Sequence, residues 1–372
     1  MSIASAPTVM IVAGEASGDM HGAALVKAMK QRVEGLQVIG IGGKHLAAQG
    51  LRSIVDASRM NVSGFAEVVR HYHFLRRALV RTIALAHEVR PSIAILVDYP
   101  GFNLQLAREL HAMGIPVVYY IAPQVWAWKE KRVEVIRRYV DTLIVAFPFE
   151  VDYFAQHAIT AYFLGHPLVD VVTPIEHESA RTHDANRPTI AYLPGSRLHE
   201  IRMHMPLMIA VMQAMGERFH HVVPLAATVD RTEVERYQVD VAFDIIDDAR
   251  IALAQADAAL VKAGTSTIEA ALAGVPFAAY YRTSILTYHI ARRAIKVPWI
   301  AMVNILAGKQ IVHEFIQSEA DPLAMTRELR RLCDDAAYRR TVLSELAKVR
   351  VALGRPGAAS RAADLIIERH LT

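Results

Sequence analysis

Five short apolar runs in the first half of the chain constrain the fold most. They are TVMIVAG (8–14), LQVIGIGG (36–43), SIAILVD (92–98), IPVVYYIAP (115–123) and DTLIVAF (141–147). None alternates apolar with polar. A strand with one wet face would alternate, so these strands must be covered on both faces, as in a parallel sheet between helices. Helical patterns such as 102–113 and 129–139 fall between them. This is the βαβ rhythm of a doubly wound sheet. The rhythm breaks at VTPIEHESARTHDANRP (172–188), which is polar, charged and flanked by prolines, and then restarts. The restart reads TIAYLP (189–194), HVVPLA (221–226), VAFDII (241–246), ADAALV (256–261) and VPFAAYY (275–281).

Two Rossmann-like α/β domains are therefore expected, 1–172 and 189–345, joined by a linker over 173–188. The segment 346–372 is expected to be helical and to return to the first domain. A cleft facing the carboxyl ends of both sheets is the expected ligand site. The length of 372 residues suits two cores, and a hydrophobic fraction of 53% is ample to fill them. One cysteine, Cys333, leaves no internal disulfide framework and suits a reducing compartment. No CxxC pair or HExxH motif suggests zinc, and His71, His73, His220 and His221 lack ligand spacing. No apolar run reaches the roughly 20 residues that span a bilayer, and no leader pattern precedes Lys27, so a cytoplasmic protein is expected. The net charge of +4 is mild, and no nucleic-acid signature accompanies it.

Six stretches carry candidate chemistry. GEASGD (14–19) follows the first strand. Its glycines permit a tight turn and close approach, Ser17 or Asp19 can cap the helix, and Glu15 has no routine structural duty. Asp98 follows SIAILV at a strand tip, where a carboxylate can serve as a general base or brace the Pro100-Gly101 turn. LPGSRLHEI (193–201) reads strand, Gly195-Ser196-Arg197, then helix, which is the form of a phosphate cradle. KAGTSTIEAALAGVP (262–276) repeats the form at Gly264 and Thr265, with Glu269 about one turn on, placed for a ribose diol or simply favoured by the helix dipole. In 65–86, Phe65, Val68, Val69, Tyr72 and Leu75 follow helical spacing among Arg70, Arg76, Arg77 and Arg81. That pattern fits a core-facing helix or one lying on an anionic membrane surface. In PQVWAWKEKRVEVIRR (123–138), two tryptophans precede a basic helix that could meet a sugar phosphate or be an ordinary solvated face.

Taken together these motifs resemble the lipid-A-disaccharide synthase family, glycosyltransferases of the two-Rossmann GT-B class. The resemblance rests on AGEASGD (13–19), VDYPGFN (97–103), APQVWAWKEKR (122–132), AFPFE (146–150), GHPLVD (165–170), LPGSRLHEI, GTSTIEAALAGVP (264–276), YYR (280–282) and NILAG (304–308), in family order over most of the chain. It implies transfer from UDP-2,3-diacylglucosamine to 2,3-diacylglucosamine 1-phosphate with inversion, giving the β-1,6 disaccharide 1-phosphate and UDP. Asp98 would be the base, and Gly195, Ser196, Arg197, Gly264, Thr265, Glu269, Arg282 and Asn304 would hold the donor. Glu15, Ser17, Gly18 and Asp19 would line the acceptor side, and Phe65, Val68, Val69, Tyr72 and Leu75 would meet acyl chains or membrane. The resemblance further implies acylated glucosamine substrates, a place on the cytoplasmic face of a Gram-negative inner membrane, and no cofactor or metal. Oligomeric state stays open. Two other readings stand beside it: another GT-B enzyme acting on UDP-N-acetylglucosamine, and a non-catalytic nucleotide-binding protein of the membrane surface.

Overall fold

The computed structural model describes residues 6–56, 60, 65–172, 187–226 and 228–371, with 56, 65–71, 286, 290 and 291 described by backbone alone. The expected linker lies almost wholly outside these residues. The chain divides into two compact units, Met1–Asp170 with Arg355–Thr372, and Val171–Gly354.

The first unit holds β1 (Thr8–Ala13), β2 (Gln37–Gly42), β3 (Arg52–Asp56), β4 (Ile93–Val97), β5 (Val117–Tyr120), β6 (Thr142–Val145) and β7 (Ala161–Phe163). They form one parallel sheet in the order β3-β2-β1-β4-β5-β6-β7. Its helices are α1 (Ala16–Lys30), α2 (Lys44–Ala48), α3 (Phe65–Val89), α4 (Pro100–Ala112), α5 (Arg132–Tyr139) and α6 (Phe149–Ala155). The second unit has β8 (Thr189–Leu193), β9 (His220–Pro224), β10 (Asp244–Ile246), β11 (Ala258–Lys262), β12 (Phe277–Tyr281) and β13 (Glu314–Ile316). These are again parallel, ordered β10-β9-β8-β11-β12-β13. Its helices are α7 (Leu198–Met215), α8 (Thr232–Glu235), α9 (Ala249–Gln255), α10 (Thr265–Ala273), α11 (Ile285–Ala294), α12 (Met302–Ala307), α13 (Pro322–Asp334) and α14 (Ala336–Ala352), after which α15 (Ala358–His370) belongs to the first unit.

The doubly wound expectation holds, and burial shows why the strands do not alternate. Met10 and Val12 of β1 join one core with Leu96, Tyr119 and the α4 residues Phe102 and Leu106. Val9, Ile11 and Ala13 of the same strand join the opposite core with Leu25 and Val26 of α1 and Ala362, Ala363 and Ile366 of α15. β1 thus feeds two cores, and its residues from Val9 to Ala13 are all apolar.

The expected boundary at 345/346 needs correction. α14 runs unbroken past it, and the division falls at Gly354/Arg355, where Gly354 takes a left-handed φ of 91°. The return is then made by α15 alone. Asp170 receives the backbone N–H groups of Ala358 (3.3 Å) and Ala359 (3.2 Å), and Arg361 Nε donates to the Leu164 carbonyl (2.9 Å).

Strand order reverses between β1 and β4 in one sheet and between β8 and β11 in the other. At such a switch point the crossovers leave on opposite faces and a crevice opens at the carboxyl ends. Ala13 pairs with Val97, so the Glu15 turn and Asp98 emerge at the same level. Leu193 pairs with Val261, which levels the 195–197 and 264–265 turns likewise.

Candidate active site

Asp98 and Tyr99 both take left-handed backbone angles, φ 45° and 49°. For residues with a Cβ this costs about 1 kcal/mol or more each and must be held by neighbours. The Asp98 carbonyl accepts from the Tyr119 hydroxyl (2.6 Å) and from Asn103 Nδ2 (2.7 Å), which also reaches the Val97 carbonyl (3.1 Å). The Tyr99 hydroxyl donates to the Met60 carbonyl (2.8 Å). A Cβ on Gly14 would stand 2.5 Å from the Tyr99 ring. Gly14 is therefore required by the ring laid over it and not, as expected, by turn conformation, since its φ is not positive.

Burial pushes the Asp98 carboxyl up to about 7, the Glu15 carboxylate adds to this, and the Tyr99 N–H pulls it partly back. Glu150 was named in a motif but given no role. It is fully buried at the tip of β6, where it accepts from Trp126 Nε1 (2.8 Å), Ala146 N (3.0 Å) and Phe147 N (2.9 Å). Burial lifts it to about 7 against these bonds, and Asp98 lifts it further. The Trp126 loop and the AFPFE segment thus meet through one hydrogen bond that spacing could not reveal.

The turn after β1 divides its duties. Glu15 is the N-cap residue of α1, with no side-chain cap bond, and is partly buried, as is Ser17. A Cβ on Gly18 would lie 3.5 Å from Val97 Cγ1, an ordinary contact, so the packing of the chain does not itself require this glycine. Asp19 corrects the expectation placed on it. Its buried carboxylate accepts from Gly43 N (2.7 Å), His45 N (2.9 Å) and Leu46 N (3.0 Å), capping α2 from another element.

In the second unit the 195–197 turn is not an open cradle. The carboxylate of Glu200 folds back to accept from Ser196 N (2.9 Å) and from Lys262 Nζ (2.9 Å), with Arg197 Nη1 at 3.9 Å. Gly195, at φ 113°, leaves room for that carboxylate. Burial alone would raise Glu200, but Lys262, Arg197 and the Ser196 N–H hold it below its usual range. An anion arriving here meets two cations balanced by one buried carboxylate, and finds the Ser196 amide already engaged. His204 ties the turn to the end of β12 by bonding the Pro194 (2.6 Å) and Arg282 (3.1 Å) carbonyls, while the Arg282 side chain is exposed.

Gly264 precedes α10 at φ 145°, and Thr265 is exposed at the first helical position. Glu269 lies in the next turn, partly buried. Burial raises its carboxyl, Arg250 lowers it and Asp248 raises it. Asn304 departs from its expected donor role. Its Nδ2 donates to the Val312 carbonyl (2.9 Å) and Glu314 Oε1 (2.8 Å), and its Oδ1 accepts from Ile311 N (2.8 Å) and Val312 N (3.0 Å). That exhausts an amide side chain. Glu314, which the motifs did not flag, also accepts from Ile300 N (2.9 Å) and Ala301 N (3.0 Å), so the pair fixes the start of α12 against β13.

On α3, the Phe65, Val68 and Val69 side chains lie outside the described residues. Tyr72 is 55% exposed, whereas Leu75 is half-buried against the core, so the described part of the helix divides between packing and exposure. His73, Arg76, Arg77, Val80 and Arg81 line one surface depression. Among the described residues no group of three or more His, Cys, Asp or Glu side chains is placed to hold a metal ion.

Solved structures share this architecture at low sequence identity. The calicheamicin glycosyltransferase CalG4 matches with a TM-score of 0.62 at 17% identity, over 99% of each chain. Acinetobacter baumannii MurG matches with a TM-score of 0.59 at 17% identity, over 98% of this chain and 99% of that one. Both likenesses speak to the GT-B fold alone. Sequence relatives are more specific. The lipid-A-disaccharide synthase of Acidobacterium capsulatum is 39% identical over 96% of this chain and 94% of its own length. That of Myxococcus xanthus is 39% identical over 97% of each. The model of one family, lipid-A-disaccharide synthetase, matches residues 9–363 and so takes in both switch-point turns and the start of α15. Fold, motifs and relatives agree, and the chain belongs to the lipid-A-disaccharide synthetase family.

Proposed function

We infer that this chain transfers 2,3-diacylglucosamine from its UDP conjugate to the 6-hydroxyl of 2,3-diacylglucosamine 1-phosphate, releasing UDP. The observation that carries the reading is Asp98. It is a partly buried carboxyl at a switch point whose proton affinity sits near 7. A general base works best when its pKa lies close to the operating pH. A sugar hydroxyl is a poor acid, so Asp98 takes its proton as the new C–O bond forms and not before. The paired left-handed residues hold the carboxyl in place, and Glu15 keeps its proton affinity high.

The second unit supplies the nucleotide chemistry. Arg197 and Lys262 offset the charge that develops on the departing diphosphate, together with the amides at the start of α10. Glu269 receives the ribose hydroxyls. Gly195, Asp19 and Asn304 act as positioning residues, through Glu200, α2 and α12 respectively. UDP release in detergent micelles, with and without the phosphorylated acceptor, tests the reading. Acceptor-dependent release is expected, with a loss of about 100-fold or more in Asp98→Asn. Release from UDP-N-acetylglucosamine alone would put a different GT-B reaction in its place.

The same reading sets the chain on the cytoplasmic face of a Gram-negative inner membrane. No helix among the described residues is long and apolar enough to cross a bilayer. Supporting a surface association, α3 exposes Tyr72 and Val80 beside Arg76, Arg77 and Arg81. Apolar side chains edged by cations are what an anionic lipid surface attracts.

A further inference from the structure

The basic residues of α5 fall into two groups with different circumstances. Arg137 and Arg138 sit in the last turn, where cations complement the negative end of the helix dipole. Arg137 also pairs with Glu134 at 2.7 Å, and Arg138 lies over the Tyr139 ring. These two need no ligand. Arg132 is at the opposite end, at the first helical position, with Lys131 as N-cap and Lys129 two residues before that. Positive charge there opposes the dipole. Among the described residues neither Lys129 nor Arg132 makes an ion pair, and the acid of the first turn, Glu134, is already spent on Arg137. The two cations stand near enough to depress Lys129 electrostatically, after burial has begun to do so. Lys129 is also held at a left-handed φ of 57°, with its Nζ 4.2 Å from the centre of the exposed Trp128 ring.

Position gives the arrangement meaning. The loop before α5 is pinned by the Trp126–Glu150 hydrogen bond at the tip of β6. The charge of Arg132 acts on Tyr119, whose hydroxyl holds the Asp98 carbonyl at 2.6 Å. Two neighbouring cations that make no ion pair among the described residues, linked to the base through Tyr119, form a receptor for a doubly charged anion. A guanidinium fork and a mobile ammonium suit the three terminal oxygens of a phosphomonoester. Resting on the reaction inferred above, we propose that Lys129 and Arg132 bind the 1-phosphate of the acceptor sugar, which orients its 6-hydroxyl toward Asp98 and selects phosphorylated over unphosphorylated acceptor.

The test compares 2,3-diacylglucosamine 1-phosphate with 2,3-diacylglucosamine as acceptors for the full chain and for K129Q/R132Q. The double variant should raise the KM of the phosphorylated acceptor about tenfold or more and leave the donor KM alone. Its preference for the phosphorylated acceptor should collapse, and R132K should recover part of it. A double variant that keeps the wild-type preference overturns the proposal. Calorimetric titration with glucosamine 1-phosphate needs no turnover, so it separates this proposal from the reaction itself. Binding to the wild type and not to the double variant supports the site even if no acceptor yields UDP, and equal binding overturns it. Lipid headgroups carry the same phosphate chemistry, so sedimentation with phosphatidylglycerol vesicles is the remaining arm. Vesicle binding should survive the double substitution; its loss with acceptor preference intact assigns the cations to the membrane and overturns the proposal.

Discussion

Asp98 joins a pH response to a stability cost. Its carboxyl holds a proton up to about 7, so kcat/KM should rise through that value as the base form appears. Removing a neighbouring negative charge lowers that affinity. Glu15→Gln should therefore move the acid limb to lower pH, whatever it does to the maximum rate, as a pH–rate profile would show. Linkage runs the other way. A carboxyl whose folded pKa is raised contributes stability that is present in acid and lost as pH climbs from about 4 through about 7. Asp98→Asn should then melt higher than the wild type at pH 8, with the gap closing as pH falls and gone below about pH 4. Asp98 itself was legible, because a carboxylate straight after a buried strand has few other places to be. Asp19 was not. The amides that it caps begin 24 residues further on, and nothing local distinguishes a helix capping itself from a residue capping the next.

At the scale of elements, Asn304 and Glu314 form the clearest structural device. Asn304→Ala leaves the Ile311 and Val312 N–H groups and the Glu314 carboxylate short of partners in a buried place. A loss of about 3 kcal/mol in chemical denaturation is expected, with the donor KM of the folded fraction little changed. A large KM effect would return Asn304 to the donor site. The interior strands of both sheets were readable because each buries two faces and so carries an apolar run without alternation. The strands not anticipated, β3, β7 and β13, are all edges. RSIVD, AYF and EFI are short or carry charge, which is how an edge avoids pairing with another chain, and that habit erases the apolar signature. α5 begins at Arg132 and not at 129, because Lys129 takes a left-handed angle that no propensity in KEKR announces.

At the scale of the whole molecule, charge on α3 sets the expected behaviour toward lipid. Arg76→Glu with Arg77→Glu should weaken binding to anionic vesicles at least several-fold in a flotation assay. Wild-type binding should fall as salt rises, and turnover in micelles should stay near normal. Unchanged vesicle binding would remove α3 from the surface. The two-unit plan was plain from the restart of the strand rhythm, but the second boundary was not, since α14 and α15 are alike in pattern and only the packing of Ala362, Ala363 and Ile366 tells them apart. That packing bears on how the molecule is made. α15 is translated after all of the second unit, yet it completes a core begun by β1 and α1. A growing chain can close its second unit while the first still lacks a wall, so the usual amino-to-carboxyl order of domain maturation is inverted. Until α15 arrives, the nascent first unit shows an apolar gap along α1, and that interval is when a chaperone would find most to hold.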